Sequence, residues 1–321
     1  MREPIIESTD FQSFSGRVRV VVPTLNAAKE WPMFSSGLRG NISPADVLII
    51  DSSSSDRTRD LARADGFQLE TIAREEFNHG ATRQLGVEFF ADADVIVFLT
   101  QDAELASHEA IARLCSAFAD ERVGAAYGRQ LPRREAGAIE AHARLFNYPP
   151  LSQVRSFESR RILGFKSVFF SNSFGAYRRS ALQAVGGFPD DVIFGEDTVT
   201  VAKLLMAGWK LAYVAEAEVY HSHAYRISQE FSRYFDIGVL HSRAVATLAP
   251  FGTVRDDGKK FVKSELAFLR EHDPRAMASA LIRTGAKFLG YRLGRVEQLI
   301  PTFAKRRLSG SRSFWKSKRT A

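Results

Sequence analysis

Four places in this 321-residue chain hold side chains able to do chemistry. The apolar run Val95-Ile96-Val97-Phe98-Leu99 leads straight into Thr100-Gln101-Asp102-Ala103-Glu104. Val47-Leu48-Ile49-Ile50 leads into Asp51 and the polar loop Ser52-Ser53-Ser54-Ser55-Asp56. A carboxylate just past a buried strand can accept hydrogen bonds from a base or ribose, as at Asp51. It can also hold a hard cation and its phosphates, as at Asp102. The Thr100–Glu104 turn could instead only cap the helix that starts near His108. Glu196-Asp197 precedes an apolar helical face at Val201, Leu204 and Leu205. Paired acids suit the positive end of a helix; equally, one can cap while the other faces a cleft as a general base. His221-Ser222-His223, on an extended segment, puts two imidazoles on one face, which suits a metal or a phosphate. Solvated or hydrogen-bonded pairs are commoner.

The elements that must position these groups alternate. Val18–Val22 is a strand broken by Pro23 and followed by Thr24-Leu25-Asn26, with a helix near 28–38. The Val47–Ile50 strand leads to a helix capped by Ser55 or Asp56. A short strand at 69–72, a helix over 80–90 with Leu85, Val87, Phe89 and Phe90 partly inward, the Val95–Leu99 strand and a helix through 111–118 follow. Strands and helices at this spacing make a parallel, doubly wound α/β layer. Residues 131–166 are a less regular excursion, Phe169–Arg178 returns to strand, 180–185 is a short helix stopped by Gly186-Gly187, and Lys210–Val214 is a further strand. Trp209 reads as core packing. No Gly-x-Gly-x-x-Gly follows a strand and no Gly-x4-Gly-Lys-Ser/Thr occurs, which removes the dinucleotide fingerprint and the phosphate loop.

Composition is that of a globular protein, with 45% hydrophobic and 25% charged residues. The single cysteine, Cys115, excludes an internal disulfide and suits a reducing compartment. Met1-Arg2-Glu3-Pro4 leads into no apolar core, so no signal peptide is expected. No run of 18 apolar residues occurs, so no transmembrane helix is expected. The net charge of +7 is uneven: residues 279–321 carry eleven lysines and arginines against one acid, Glu297, which leaves residues 1–278 at −3.

The ordered set Pro23-Thr24-Leu25-Asn26, Asp51-Ser52-Ser53-Ser54-Ser55-Asp56, Thr100-Gln101-Asp102, Gly186-Gly187-Phe188 and Glu196-Asp197 resembles the inverting family-2 glycosyltransferases. The resemblance covers about 17–225. Phe77-Asn78-His79-Gly80-Ala81-Thr82-Arg83 is similar to the Phe-Asn-His-Gly-x-Thr-Arg signature of bacterial rhamnosyltransferases, which use dTDP-L-rhamnose to build cell-surface polysaccharide. It implies a GT-A fold (Rossmann-like, a doubly wound, mostly parallel sheet) over 1–225, and the apolar spacing beyond makes 226–321 a helical C-terminal region. It implies donor contacts at Thr24, Asn26, Asp51, His79, Arg83, Gln101 and Asp102, with Asp51 on the base and Asp102 holding Mg2+ or Mn2+ at the diphosphate. Asp102 matches the second acid of an Asp-x-Asp motif whose first acid is here Thr100. One protein carboxylate, with water and phosphate oxygens, can complete such a shell. The resemblance further implies that Asp197 is the catalytic base, that His221 (or, failing it, His223) reaches the metal, and that Glu196, Asn172 and Arg178 line the acceptor side. For His79 and Arg83 the plainer reading is a turn and a surface helix residue.

The implied reaction is inverting transfer of L-rhamnose from dTDP-β-L-rhamnose to a hydroxyl of a lipid-linked glycan, as in O-antigen synthesis. A family-2 transferase for a UDP-sugar and an inactive sugar-nucleotide- or glycan-binding homologue are the alternatives. A nucleotidyltransferase would want a Gly-rich basic loop after the first strand, which Pro23-Thr24-Leu25-Asn26 is not. Beyond Ile227 the apolar spacing is helical: Phe231, Tyr234, Phe235, Val239 and Leu240, then Phe261, Leu266 and Leu269, then 281–303 as one helix. That last helix, with Phe288, Phe303 and the following Phe314-Trp315 among lysines and arginines, reads as an element drawn to anionic lipid. It places the protein in the cytoplasm, peripheral on the inner face of the membrane. A charged helix packed on the body and a homo-oligomer contact are the other readings. No nucleic-acid partner is expected, since no recognition motif accompanies the basic tail.

Overall fold

The computed structural model describes residues 6–7, 12–252 and 255–316. The opening Met1-Arg2-Glu3-Pro4 and the tail's Lys318 and Arg319 lie outside them. The strands are β1 (Ile6–Glu7), β2 (Val18–Thr24), β3 (Val47–Asp51), β4 (Gln68–Thr71), β5 (Val95–Leu99), β6 (Glu104–Leu105), β7 (Val123–Leu131), β8 (Gln153–Arg155), β9 (Phe174–Arg178) and β10 (Lys210–Tyr220). The helices are α1 (Trp31–Asn41), α2 (Thr58–Ala64), α3 (His79–Phe89), α4 (Ala110–Ser116), α5 (Ala138–Asn147), α6 (Arg160–Leu163), α7 (Arg179–Ala184) and α8 (Glu196–Met206). Then come α9 (Ile227–Arg243), α10 (Val245–Leu248), α11 (Arg255–His272), α12 (Met277–Arg295) and α13 (Thr302–Leu308).

All the strands join one mixed sheet in the order β1-β8-β10-β7-β9-β5-β2-β3-β4, with β6 added along β10. β3 and β5 are buried at every residue, as strands covered on both faces must be. Alternation sends Val95, Val97 and Leu99 into a core with Trp31, Phe34, Leu38 and Leu114, and Ile96 and Phe98 into the opposite core with Val87, Leu182, Leu204 and Leu205. The doubly wound layer is therefore present, with helices on both faces.

Parallel pairing of β4, β3, β2 and β5, and of β7 with β10, brings their carboxyl ends to one edge. β9 departs from the expected parallel pattern: it runs antiparallel between β5 and β7, so its first residue, Phe174, lies at that edge and Arg178 at the far one, opposite Val95. The strand begins five residues later than the apolar run suggests, because 169–173 form a loop that carries Asn172 to the edge. β10 also runs six residues past its expected end. A register shift between Val214 and Glu218 lets it continue along β7 and delivers His221 beside Leu131, whose carbonyl accepts the His221 N–H at 3.0 Å.

On α3 the inward residues are Val87 and, just beyond its end, Phe90, while Leu85 and Phe89 face out, so the inward set expected there is half right. The single helix expected over 281–303 is two: α12 stops at Arg295, and Pro301 starts α13. Within the C-terminal region α12 lies so close to α9 that a Cβ on Gly294 would come within 2.0 Å of the Phe235 carbonyl oxygen. Trp315 is buried with Ile193, Phe235 and Val239, and Phe314 packs on the same cluster. Neither is the free aromatic anchor the basic tail suggested. Arg243 lies over both rings, so this end of the chain folds back onto α9.

Candidate active site

Asp102 sits three residues past β5 and His221 one residue past β10, and the two strand ends face each other across the sheet edge. The Nε2 atoms of His221 and His223 each lie 3.4 Å from Asp102 Oδ2, and the donor atoms of all three fall within 4.8 Å of one another. Both histidines named from the sequence thus reach the carboxylate. Gln130, near the end of β7, orients His221. Its amide nitrogen donates to Ser171 Oγ at 2.9 Å, and its oxygen accepts from Arg144 Nη1 at 2.8 Å. The same oxygen lies 2.9 Å from His221 Nδ1, so that nitrogen must carry the proton. In the neutral ring Nε2 then turns a lone pair toward the Asp102 carboxylate, an arrangement that a cation between them satisfies; in the protonated ring Nε2 is instead a charged donor to that carboxylate.

Burial opposes ionisation of Asp102, yet hydrogen bonds and charge from His221, Thr100 and His223 hold it well below the usual carboxylate range. Burial pushes His221 down, and burial with the neighbouring His221 pushes His223 down to about 4. One carboxylate and two neutral imidazoles fit a divalent cation. Arg133 Nη2 donates to the Asp102 carbonyl at 2.6 Å and braces the turn. Gln130 carried no signal in the sequence, and Arg133 and Arg144 stood out only as part of the irregular 131–166 excursion, a kind of segment that often carries substrate contacts.

The expected donor contacts Thr24, Asn26, Asp51 and Gln101 gather at the carboxyl ends of β2, β3 and β5. They are engaged with one another. Gln101 accepts from the Leu25 N–H at 2.7 Å and donates to the Leu25 carbonyl at 3.1 Å, tying β5 to the loop after β2. Asn26, in the left-handed region at φ 52°, accepts from the Ser55 N–H at 2.9 Å and donates its own N–H to Ser54 Oγ at 2.8 Å. Asp51 is fully buried, taking the Ser54 N–H at 2.8 Å and hydrogen bonds from the Thr24 and Ser54 hydroxyls. These residues shape a cross-braced floor, and in this arrangement the Asp51 carboxylate meets the loop rather than open space.

Asp197 is the second residue of α8 and is only part-buried. One carboxylate oxygen accepts the Thr198 N–H at 2.7 Å and the other the Asn172 N–H at 3.2 Å. Burial and then the charge of Glu196 raise its pKa to about 6. Glu196 is not on an acceptor surface as expected. It is 3% exposed, ion-paired with Arg83 Nη1 at 3.0 Å and hydrogen-bonded by Asn172 Nδ2 at 3.0 Å. Asn172 is equally buried, with its oxygen accepting from Tyr177 Oη at 3.0 Å. Arg83, expected as a donor contact at the diphosphate or the sugar, is buried behind Glu196, while His79 begins α3 beside it, packed edge-on against Phe77 and Phe194. Arg178, expected on the acceptor side, lies at the opposite edge of the sheet and donates to the carbonyls of Phe118, Asp120 and Val123. Antiparallel β9 decides this, because its last residue points away from the site. Arg233 of α9 places its guanidinium over the rings of Phe194 and Tyr225.

A carboxylate–imidazole cluster and a separate basic carboxylate at the carboxyl edge of such a sheet can hold a sugar nucleotide and deprotonate a hydroxyl. The model of the family described as Glycosyl transferase family 2 matches residues 19–186. The chain belongs to this family. The family sequence segment spans β2 to the end of α7 and so includes Asp51 and Asp102. Over 301 residues the chain is 44% identical to the O-antigen chain rhamnosyltransferase RfbN of Salmonella typhimurium, covering 93% of this chain and 96% of that one. It is 43% identical to the O-antigen chain rhamnosyltransferase WbaN of Salmonella anatum, covering 92% and 95%. Among solved structures, the mannosyltransferase PcManGT from Pyrobaculum calidifontis, in complex with GDP-Man and Mn2+, matches with a TM-score of 0.59 at 20% identity, over 96% of this chain and 91% of that one. S. aureus TarS 1-349 in complex with UDP-GlcNAc matches with a TM-score of 0.51 at 13% identity, over 88% and 91%. These two share the fold. The chain is a glycosyltransferase of GT-A architecture.

Proposed function

We propose that this glycosyltransferase moves L-rhamnose, with inversion, from dTDP-β-L-rhamnose to a hydroxyl of a lipid-linked O-antigen glycan. The observation that carries the reading is the near-complete match, at 43–44% identity, to two O-antigen chain rhamnosyltransferases. Asp102, His221 and His223 are the residues that would hold Mn2+ or Mg2+. A divalent ion there supplies charge stabilisation to the departing diphosphate. Asp197 takes the proton of the acceptor hydroxyl as the new glycosidic bond forms. A base of pKa about 6 is ionised at neutral pH and binds a proton more tightly than an ordinary Asp, which is the tuning general-base catalysis wants. Attack from the side opposite the diphosphate inverts the anomeric centre.

We also propose that the enzyme works at the inner face of the cell membrane, docked through its C-terminal helices. Among the described residues no helix is long and apolar enough to cross a membrane. Leu281, Ile282, Phe288 and Leu289 line the outer side of α12 and are each more than half exposed, and Leu299 and Phe303 extend the ridge. The one acid of residues 279–316, Glu297, is buried against Arg243 and Lys305, so the exposed charge around the ridge is basic. That charge favours an anionic lipid surface over a second copy of the same basic face.

Titration calorimetry with dTDP and UDP, with and without Mn2+, tests the donor. Metal-dependent dTDP binding, tighter than UDP and lost in Asp102→Ala, is expected. Tighter UDP binding would move the donor to a UDP-sugar, and no binding of either would leave a non-catalytic homologue.

A further inference from the structure

We infer that Arg83 and Asn172 are positioning residues that hold Glu196 as a fixed, buried carboxylate beside Asp197, and that the Phe77–Arg83 stretch clamps the base-bearing loop rather than touching the donor. This rests on Asp197 being the base.

The start of α3 grips residues 188–196 at both ends. Asn78 Oδ1 caps α3 by accepting the N–H groups of Gly80 and Ala81, and its Nδ2 donates to the Asp190 carbonyl at 2.9 Å. Gly80 stands against Pro189 so closely that a Cβ would lie 1.8 Å from its carbonyl oxygen. Gln84 accepts the Phe188 N–H at 3.2 Å. One turn on, Arg83 Nη1 meets both the His79 carbonyl, at 2.9 Å, and Glu196. From the other side Asn172 ties the two acids together, with its side chain on Glu196 and its main-chain N–H on Asp197. Arg83 and Glu196 are nearly sealed from solvent, so a phosphate cannot reach this guanidinium without breaking the pair.

The pairing has a chemical consequence. Two adjacent carboxylates tend to share one proton unless a cation stabilises one of them. Arg83 is that cation for Glu196, so the proton from the acceptor goes to Asp197 and not to its neighbour. The groups facing Asp197 are Glu196 and the Thr198 N–H on α8, Arg83 on α3 with His79 beside Glu196, Tyr177 on β9 and Tyr148 after α5. None of the others places a second acid there.

Glu196→Gln and Arg83→Gln test this through the pH profile of kcat/KM, kcat and dTDP affinity. Glu196→Gln removes a negative charge beside the base and moves the acidic limb to lower pH. Arg83→Gln removes a positive charge and moves it to higher pH. In each, kcat falls roughly ten- to a hundredfold through misplacement of the base, while dTDP affinity stays within about twofold. The double variant Arg83→Gln/Glu196→Gln, which buries no lone charge, guards against a folding defect and returns the limb toward the wild-type position. Loss of dTDP affinity in Arg83→Gln with no movement of the limb would make Arg83 a donor contact and overturn the inference; so would limbs unmoved in both single variants. An error in the donor shows in the wild-type enzyme alone, whereas an error about the clamp shows only between variants and wild type.

Discussion

Gln130→Leu is expected to weaken Mn2+ binding although Gln130 touches no metal. Its oxygen receives both His221 Nδ1, at 2.9 Å, and Arg144 Nη1, at 2.8 Å, and its nitrogen is committed to Ser171. The leucine leaves His221 Nδ1 with no acceptor in a buried setting. The proton then moves to Nε2, where Asp102 Oδ2 lies 3.4 Å away and offers a partner. That tautomer has no lone pair directed at Asp102 and His223, so one of three donors is lost. Removing the outer partner of a metal-bound histidine costs about 10–100-fold in affinity, which is about 1.4–2.7 kcal/mol at 1.36 kcal/mol per decade. The free-Mn2+ paramagnetic resonance signal during titration, with saturating dTDP, gives the affinity. Nitrogen chemical shifts of His221 report the tautomer. Unchanged Mn2+ affinity in a folded Gln130→Leu protein would refute the reasoning, because it would mean that the ring orientation is set elsewhere. Gln130→Glu separates the parts: it keeps an acceptor for Nδ1 and is expected to bind Mn2+ at least as well as the wild type.

Transfer activity should fall about tenfold per pH unit as pH drops below about 6, since protonation of Asp197 removes the base; Asp197→Asn should lose on the order of 10²–10⁴-fold in kcat at neutral pH while keeping dTDP binding. Gly80→Ala drives a methyl into the Pro189 carbonyl, and overpacking of this kind should lower stability by about 1–3 kcal/mol in urea melts and reduce kcat more than it changes dTDP affinity. Replacing Phe288 and Leu299, which are 66% and 84% exposed, with Asp should abolish sedimentation with phosphatidylglycerol vesicles and leave turnover of a water-soluble acceptor unchanged. Undiminished vesicle binding would exclude this ridge as the docking face.

The strand-ending acids were legible in the sequence because a strand buried on both faces must be apolar throughout, so the first carboxylate after it marks the sheet edge. Asp51 and Asp102 stand out for that reason, and Asp197 and the His-x-His pair by type and spacing. The partners of these groups were not legible. Gln130 meets His221 only because a register shift in β10 extends that strand along β7, and local sequence does not encode long-range register. Arg178 was misplaced because nothing in Phe174–Arg178 tells an antiparallel strand from a parallel one, and direction alone decides which edge its last residue occupies. The Phe77–Arg83 stretch could be recognised as a unit, but not what it grips: Arg83 and Glu196 are 113 residues apart in the chain, and their 3.0 Å contact follows from packing of α3 on the loop before α8. Trp315 likewise reads as a membrane anchor beside lysines and arginines, and only the fold-back onto α9 buries it. Composition and period determined the layers, the sheet edge where the acids gather and the residue types that could act there. Tertiary structure decided which carboxylate is sealed and which stays available, because burial and charge pairing depend on neighbours that the chain brings together only when it folds.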